Sequence, residues 1–108
     1  LRYTALEEGR VDLVDAYSTD AEIRRYKLTL LKDDLQLFPP YQGAPLMKAK
    51  FAEQHPQVAE SLNRLAGKIS EEEMSEMNDK VKNGGEAPAK VAADYLNAHQ
   101  LLNKKDAP

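Results

Sequence analysis

The chain of 108 residues contains no cysteine and no tryptophan. The lack of cysteine excludes a disulfide framework and thiolate chemistry, while leaving the compartment open. Long apolar runs are missing too, and none approaches the ~20 residues that span a bilayer. Positive charge is in deficit, with a formal net charge of −3. That argues against a nucleic-acid binder, which needs a basic footprint. No charged-then-apolar leader opens the chain. It does not begin with methionine, and Leu1-Arg2-Tyr3-Thr4-Ala5-Leu6 reads as mid-helix. The chain is therefore expected to be a fragment of a longer product, so the missing leader and membrane segment carry no weight about localisation. Its length suits one domain or part of one. A domain of this size buries roughly 65% of the surface exposed when unfolded, enough for a core without staples.

The first half alternates short apolar runs with turn signals. Residues 1–8 read as the end of a helix stopped by Gly9. Val11-Asp12-Leu13-Val14-Asp15-Ala16-Tyr17 reads as a short strand, residues 28–31 as a second and residues 35–38 as a third. Between the first two, Ser18-Thr19-Asp20 forms an N-cap cluster before a helix over 21–26. Pro39-Pro40 stops any ladder, since neither residue donates a backbone hydrogen bond.

The second half is helical. The pattern predicts helices over 49–54 and over 56–66, the latter opened by Pro56 and ended by Gly67. Ser70-Glu71-Glu72-Glu73 fits a capping box for a helix that turns Met74, Met77 and Val81 inward and stops before Asn83-Gly84-Gly85. A last helix starts near Pro88, with Val91, Ala92, Tyr95, Leu96 and Leu102 on one face. Lys104 to Pro108 looks like a frayed tail.

Tyr17 and Tyr41 stand where an apolar run gives way to a turn, a place that presents side chains at the mouth of an α/β sheet. A tyrosine face attracts a cation through its ring quadrupole, by ~0.5–1 kcal/mol when exposed and ~2 or more when desolvated. The plainer reading makes both of them core-edge aromatics with wet hydroxyls. Asp15, Asp20, Asp33 and Asp34 offer carboxylates, but Asp20 suits a helix start and Asp33-Asp34 a solvated turn. His55 and His99 lack metal-ligand spacing, so neither a metal nor a cofactor is expected. Gly84-Gly85 follows a helix and so does not make a phosphate loop, and Ser18 lacks a nucleophile elbow. No catalytic residue is assigned.

Taken in order, Tyr3-x-Ala5-Leu6-x-x-Gly9-x-Val11-Asp12, Asp15-Ala16-Tyr17-Ser18-Thr19-Asp20, Leu31-x-Asp33-Asp34, Phe38-Pro39-Pro40-Tyr41 and Ala44-Pro45-Leu46 resemble one family. They resemble the C-terminal part of the substrate-binding proteins of glycine betaine/choline/carnitine ABC transporters, over nearly the whole chain to about Leu102. The departures are mild: Leu37 precedes Phe38 where an aromatic pair is common, Gly43 stands in place of Ala and Lys48 in place of Arg.

The resemblance implies an α/β chain, part of a two-lobed periplasmic-binding-protein-like (type II) fold, with short strands first and a helix-rich second half. Residues 1–34 would be the end of the second lobe and the crossover, and residues 35–108 the C-terminal part of the first lobe. It implies a non-enzymatic importer component that binds glycine betaine, choline or carnitine. Tyr17 and Tyr41 would line an aromatic cage around the trimethylammonium group, with Ser18, Thr19 and Asp20 at the cleft rim. The implied partners are that solute and an ABC permease, separate or fused. The implied location is extracytoplasmic, held at the membrane by a lipid anchor or the permease. Further cage residues are expected outside this chain, and exposed apolar surface makes self-association of the fragment a further expectation. Two alternatives remain: an enzyme on the same scaffold using Asp33 or Asp34, and a helical interaction module over residues 70–102.

Overall fold

The Ser70 capping box forms as the sequence predicts. The Ser70 hydroxyl accepts from the Glu73 amide at 3.2 Å, and the Glu73 carboxylate accepts from the Ser70 amide at 2.8 Å. Two orphan donors of the first turn are thereby satisfied. The helix it starts, Glu71–Lys82, is the longest of six in a computed structural model that describes residues 1–102. In chain order these are α1 (Arg2–Glu7), α2 (Ala21–Arg25), α3 (Ala49–Gln54), α4 (Pro56–Asn63), α5 (Glu71–Lys82) and α6 (Pro88–Ala98). Five start within a residue of where the sequence places them. The expected tail from Lys104 lies outside the described residues.

The chain divides into two compact units, residues 1–30 with the chain from Ser70 onward, and residues 31–69. In the first, α2 packs on α5 and α5 on α6. Its buried apolar residues are Tyr3, Ala21, Val91 and Tyr95. Ala21 is small enough for α2 to lie close to α5, where Arg24 Nε donates to Ser75 Oγ at 3.1 Å and Lys82 pairs with Glu22. Val91 and Tyr95 are spaced by four and share a helical face, as expected. Ala92, expected beside them, is exposed instead. The His99 ring stacks on Tyr95 with centroids 4.0 Å apart, and its Nε2 lies 3.3 Å from Glu73 Oε1, joining the end of α6 to the start of α5.

Helices α1, α2 and α6 end alike. The residue after the cap takes a left-handed φ, at Gly9 (70°), Lys27 (53°) and Gln100 (54°). The next amide then reaches back five residues, from Arg10 to Ala5 O, Leu28 to Ile23 O and Leu101 to Leu96 O, each at 2.9 Å. Those bonds satisfy carbonyls that the helix end would otherwise orphan.

In the second unit α3 packs on α4. Helix α4 ends at Asn63, short of the expected residue 66. The chain continues in tighter turns, with Leu65 donating to Leu62 O and Ala66 to Asn63 O, before Gly67 at φ 68°. No residue of this unit is buried.

The three expected strands are the main correction. Among the described residues there is no strand, and residues 11–16 and 28–33 run without regular structure. A strand exists through its ladder, and these segments find no pairing partner; Leu13, Leu30 and Leu31 stay exposed. Residues 35–38 differ further. They leave a turn in which Gln36 has φ 51°, and the Leu37 and Phe38 amides donate to Asp33 rather than to a neighbouring strand.

Candidate functional site

Tyr17 opens a tight turn through Ser18, Thr19 and Asp20. The Asp20 amide donates to Tyr17 O at 3.0 Å, and the Tyr17 amide donates back to Asp20 Oδ2 at 3.3 Å. A short Asp side chain suits this role because it can bond a backbone amide a few residues away. From α5, Asn78 Nδ2 donates to Thr19 O at 2.8 Å and Asn83 Nδ2 to Ala21 O at 3.0 Å. The turn is thus tied to the longest helix as well as to its own carboxylate.

Asp20 is the N-cap residue of α2 but makes no side-chain cap bond. Its carboxylate turns to α1 instead. Oδ2 accepts from the Tyr3 hydroxyl at 2.5 Å and from Arg2 Nη2 at 3.1 Å, in addition to the Tyr17 amide. The other arm of the Arg2 guanidinium lies 3.5 Å from Asp15 Oδ2. Arg2 therefore touches both ends of the hexapeptide 15–20, with Tyr17 between them.

The electrostatics follow from these contacts. Burial alone would raise the Asp20 carboxyl, but the bonds from Tyr3, the Tyr17 amide and Arg2 outweigh it and hold the group below its ordinary range. Burial, and then the hydrogen bond to Asp20, push the Tyr3 phenol up to about 12. Both shifts favour one state, a charged carboxylate that accepts a hydrogen bond from a neutral phenol. The Tyr17 side chain stands out from this anchor, 57% exposed. An open depression of about 450 Å³ lies alongside, lined by Asp20, Ala21, Glu22, Asn78, Val81, Lys82 and Pro88.

Tyr41 belongs to the second unit, in an irregular stretch between Pro39 and Lys48, and is 71% exposed. The structure therefore gathers Ser18, Thr19 and Asp20 around the Tyr17 turn, while Tyr41 is placed with Asp33 in the other unit. Asp33, the carboxylate considered for acid–base work, accepts from the Leu37 and Phe38 amides at 2.9 Å each. Among the described residues no group of three or more His, Cys, Asp or Glu side chains could hold a metal. Sequence reasoning missed Arg2 and Tyr3. Nothing in their local pattern announces a partner 17 residues away, and only the fold pairs them with Asp20.

Comparison with known proteins bears on this arrangement. Residues 1–98 match the family described as the substrate binding domain of ABC-type glycine betaine transport system, OpuAC. The chain is 38% identical over 106 residues to the carnitine transport binding protein OpuCC of Listeria monocytogenes, covering 98% of this chain and 34% of that protein. It is 36% identical to a glycine-betaine-binding protein of Pseudomonas aeruginosa, over 99% of this chain and 34% of that one. A Helicobacter pylori ergothioneine transport permease/ergothioneine binding protein, EgtU, is 33% identical over 89% of this chain and 17% of its own. The crystal structure of a glycine betaine/carnitine/choline ABC transporter superposes with a TM-score of 0.77 at 39% identity, covering 95% of this chain and 38% of that one. The fold is thus that of a periplasmic-binding-protein-type transport component, and the chain spans about a third of the length of the first two relatives. The family is one of solute-binding domains rather than enzymes. By this match over nearly its whole length, the chain belongs to the OpuAC family of substrate-binding domains of ABC-type glycine betaine transport systems.

Proposed function

We propose that the chain forms part of the solute receptor of an ABC importer for quaternary-ammonium osmoprotectants, with Tyr17 and Tyr41 contributing π-faces to a cage around the trimethylammonium group. The observation that carries this reading is the Tyr17 ring, largely exposed on a turn whose backbone is held by hydrogen bonds to Asp20 and Asn78. A trimethylammonium ion is poorly hydrated and has no N–H to donate. Aromatic faces hold it by cation–π attraction, whereas a primary ammonium in the same box would leave its donors unpaired. Glycine betaine, choline and carnitine share that head group and differ in their tails, so one cage serves all three. Family membership and the solutes named for the relatives support the same class.

In this reading Ser18, Thr19 and Asp20 shape the rim beside Tyr17. The remaining cage groups, and strand partners for residues 11–16 and 28–33, come from the portion of a full-length receptor that this chain does not cover. The partner is an ABC permease, separate or fused; the Helicobacter relative is named as both permease and binding protein. The site of action is extracytoplasmic, at the membrane. No described helix is long and apolar enough to cross one.

The test is a calorimetric titration of choline, glycine betaine and carnitine into a receptor of full family length carrying this sequence, beside its Tyr41→Ala version. Saturable heat in the parent, weakened at least tenfold by the alanine, is the expected result. Affinity left unchanged by the substitution removes Tyr41 from the cage. No heat with any of the three solutes overturns the ligand class.

A further inference from the structure

The Tyr17 turn is tied to two helices, to α5 through Asn78 and to α1 through the Asp20 carboxylate. Asp20 Oδ2 collects three donors: the Tyr3 hydroxyl at 2.5 Å, Arg2 Nη2 at 3.1 Å and the Tyr17 amide at 3.3 Å. Two of these come from α1 and the third from the residue whose ring is exposed. The Asp20 side chain is only 24% exposed, and Tyr3 is buried. Three donors take up the acceptor capacity of that oxygen.

We propose that Asp20 is a positioning residue for ligand binding, which fixes the Tyr17 ring by clamping the Tyr17 amide to the Arg2–Tyr3 pair on α1. The proposal rests on Tyr17 being a cage residue. Its physical basis is preorganisation. A cation–π contact works only within about 6 Å of the ring centroid, so a ring on a loose turn must be ordered when the solute arrives. Here the segment is ordered beforehand. Arg2 spans Asp15 and Asp20, the carboxylate bonds the Tyr17 amide, and Asn78 of α5 bonds Thr19 O. Charge-assisted bonds of this kind are the stronger class. The cluster links α1 to the backbone of Tyr17 through two bonds, Tyr3 O–H to Asp20 and Tyr17 N–H to Asp20.

Two measurements test this, one of which needs no ligand. In the chain itself, Asp20→Asn is expected to speed hydrogen exchange at the Tyr17 amide about tenfold, and Tyr3→Phe by a smaller factor. An unchanged Tyr17 amide in both variants overturns the proposal whatever the receptor binds. In a receptor of full family length carrying this sequence, Asp20→Asn is expected to weaken choline about tenfold, and Tyr3→Phe, which keeps the buried ring, severalfold. In a Tyr17→Ala background the Asp20→Asn change should cost less than about twofold, because a residue acting through Tyr17 has nothing left to position. The same tenfold loss in that background overturns the proposal, since Asp20 would then be touching the solute or supporting the whole fold. If the parent receptor binds no quaternary ammonium, the ligand reading fails, and the Tyr17 amide alone decides the positioning role.

Discussion

The two units present their tyrosines in opposite ways. Tyr17 sits on a turn bonded by a carboxylate, a backbone amide and an asparagine from α5, beside a core of Tyr3, Ala21, Val91 and Tyr95. Tyr41 sits in an irregular stretch of a unit with no buried residue, flanked by exposed Leu37, Phe38 and Leu46. The first unit has helices of 12 and 11 residues to pack against. The second has only helices of 6 and 8 residues. Two exposed rings of the same type can therefore rest on very different foundations. A ring's usefulness for binding depends on what holds its backbone as much as on its exposure.

Truncating the core is the strongest way to break the contrast. Val91 is 5% exposed, and Val91→Ala removes two methyl groups from the contact between α6 and its neighbours. The expected loss is about 2 kcal/mol of unfolding free energy, from lost transfer plus a residual cavity. It should appear in urea unfolding read at amides of residues 71–98, while amides of residues 50–62 keep their midpoint. Equal shifts in both sets would mean that the units unfold as one, and the contrast between them would be structural only.

Much of this architecture was legible, and for identifiable reasons. The Ser70–Glu73 box, Pro56, Pro88 and the Gly9 stop are local signals whose geometry is decided within one turn, so they read correctly from the residues. The ends of α2 and α6 carry no such mark. Lys27 and Gln100 occupy left-handed positions where glycine is usual, and the compensating bonds become visible only in the fold. Strands over 11–17, 28–31 and 35–38 are read from short apolar runs, which report a tendency to be half-buried in a sheet, not the presence of a partner. The site divides likewise. The Tyr17 motif was visible as a motif, but the Arg2–Tyr3–Asp20 cluster joins residues 17 and 18 positions apart, beyond any local pattern.

Titration sharpens the contrast with a smaller effect, since the groups involved are partly solvated. The Asp20, Glu22 and Glu73 carboxyls are all held low and all lie in the first unit. The causes are bonds that outweigh burial at Asp20, Lys82 at Glu22, and the Ser70 amide at Glu73. A carboxyl depressed in the folded state stabilises it above the ordinary carboxylate range, and that contribution is lost as pH falls through the lower folded value. The first unit should therefore lose stability on acidification, with a shallower acid limb in Asp20→Asn. Tyr3 acts in the opposite direction. Its phenol is raised from 10.0 to about 12, so its contribution is complete below pH 10 and is lost as pH climbs towards 12. Tyr3→Phe should flatten that alkaline limb, as read by circular dichroism across a pH series.

The smallest effect probes the second unit's own clamp. Asp33 does for residues 37 and 38 what Asp20 does for residue 17, accepting backbone amides at 2.9 Å each. The resemblance ends there, because among the described residues no buried phenol and no bridging arginine is seen to back it, and Asp33 is exposed. Water competes for both amides, so Asp33→Ala should cost about 0.5 kcal/mol, the low end for a net hydrogen bond. That corresponds to roughly two- to threefold faster exchange at the Leu37 and Phe38 amides, with no change in the Val91 or Tyr95 amides. Were Asp33→Ala to lower the unfolding midpoint of the first unit as Val91→Ala does, the Asp33 turn would belong to the cooperative core. The stretch leading to Tyr41 would then be as firmly founded as the Tyr17 turn, and the difference between the two rings would lie in their surroundings alone.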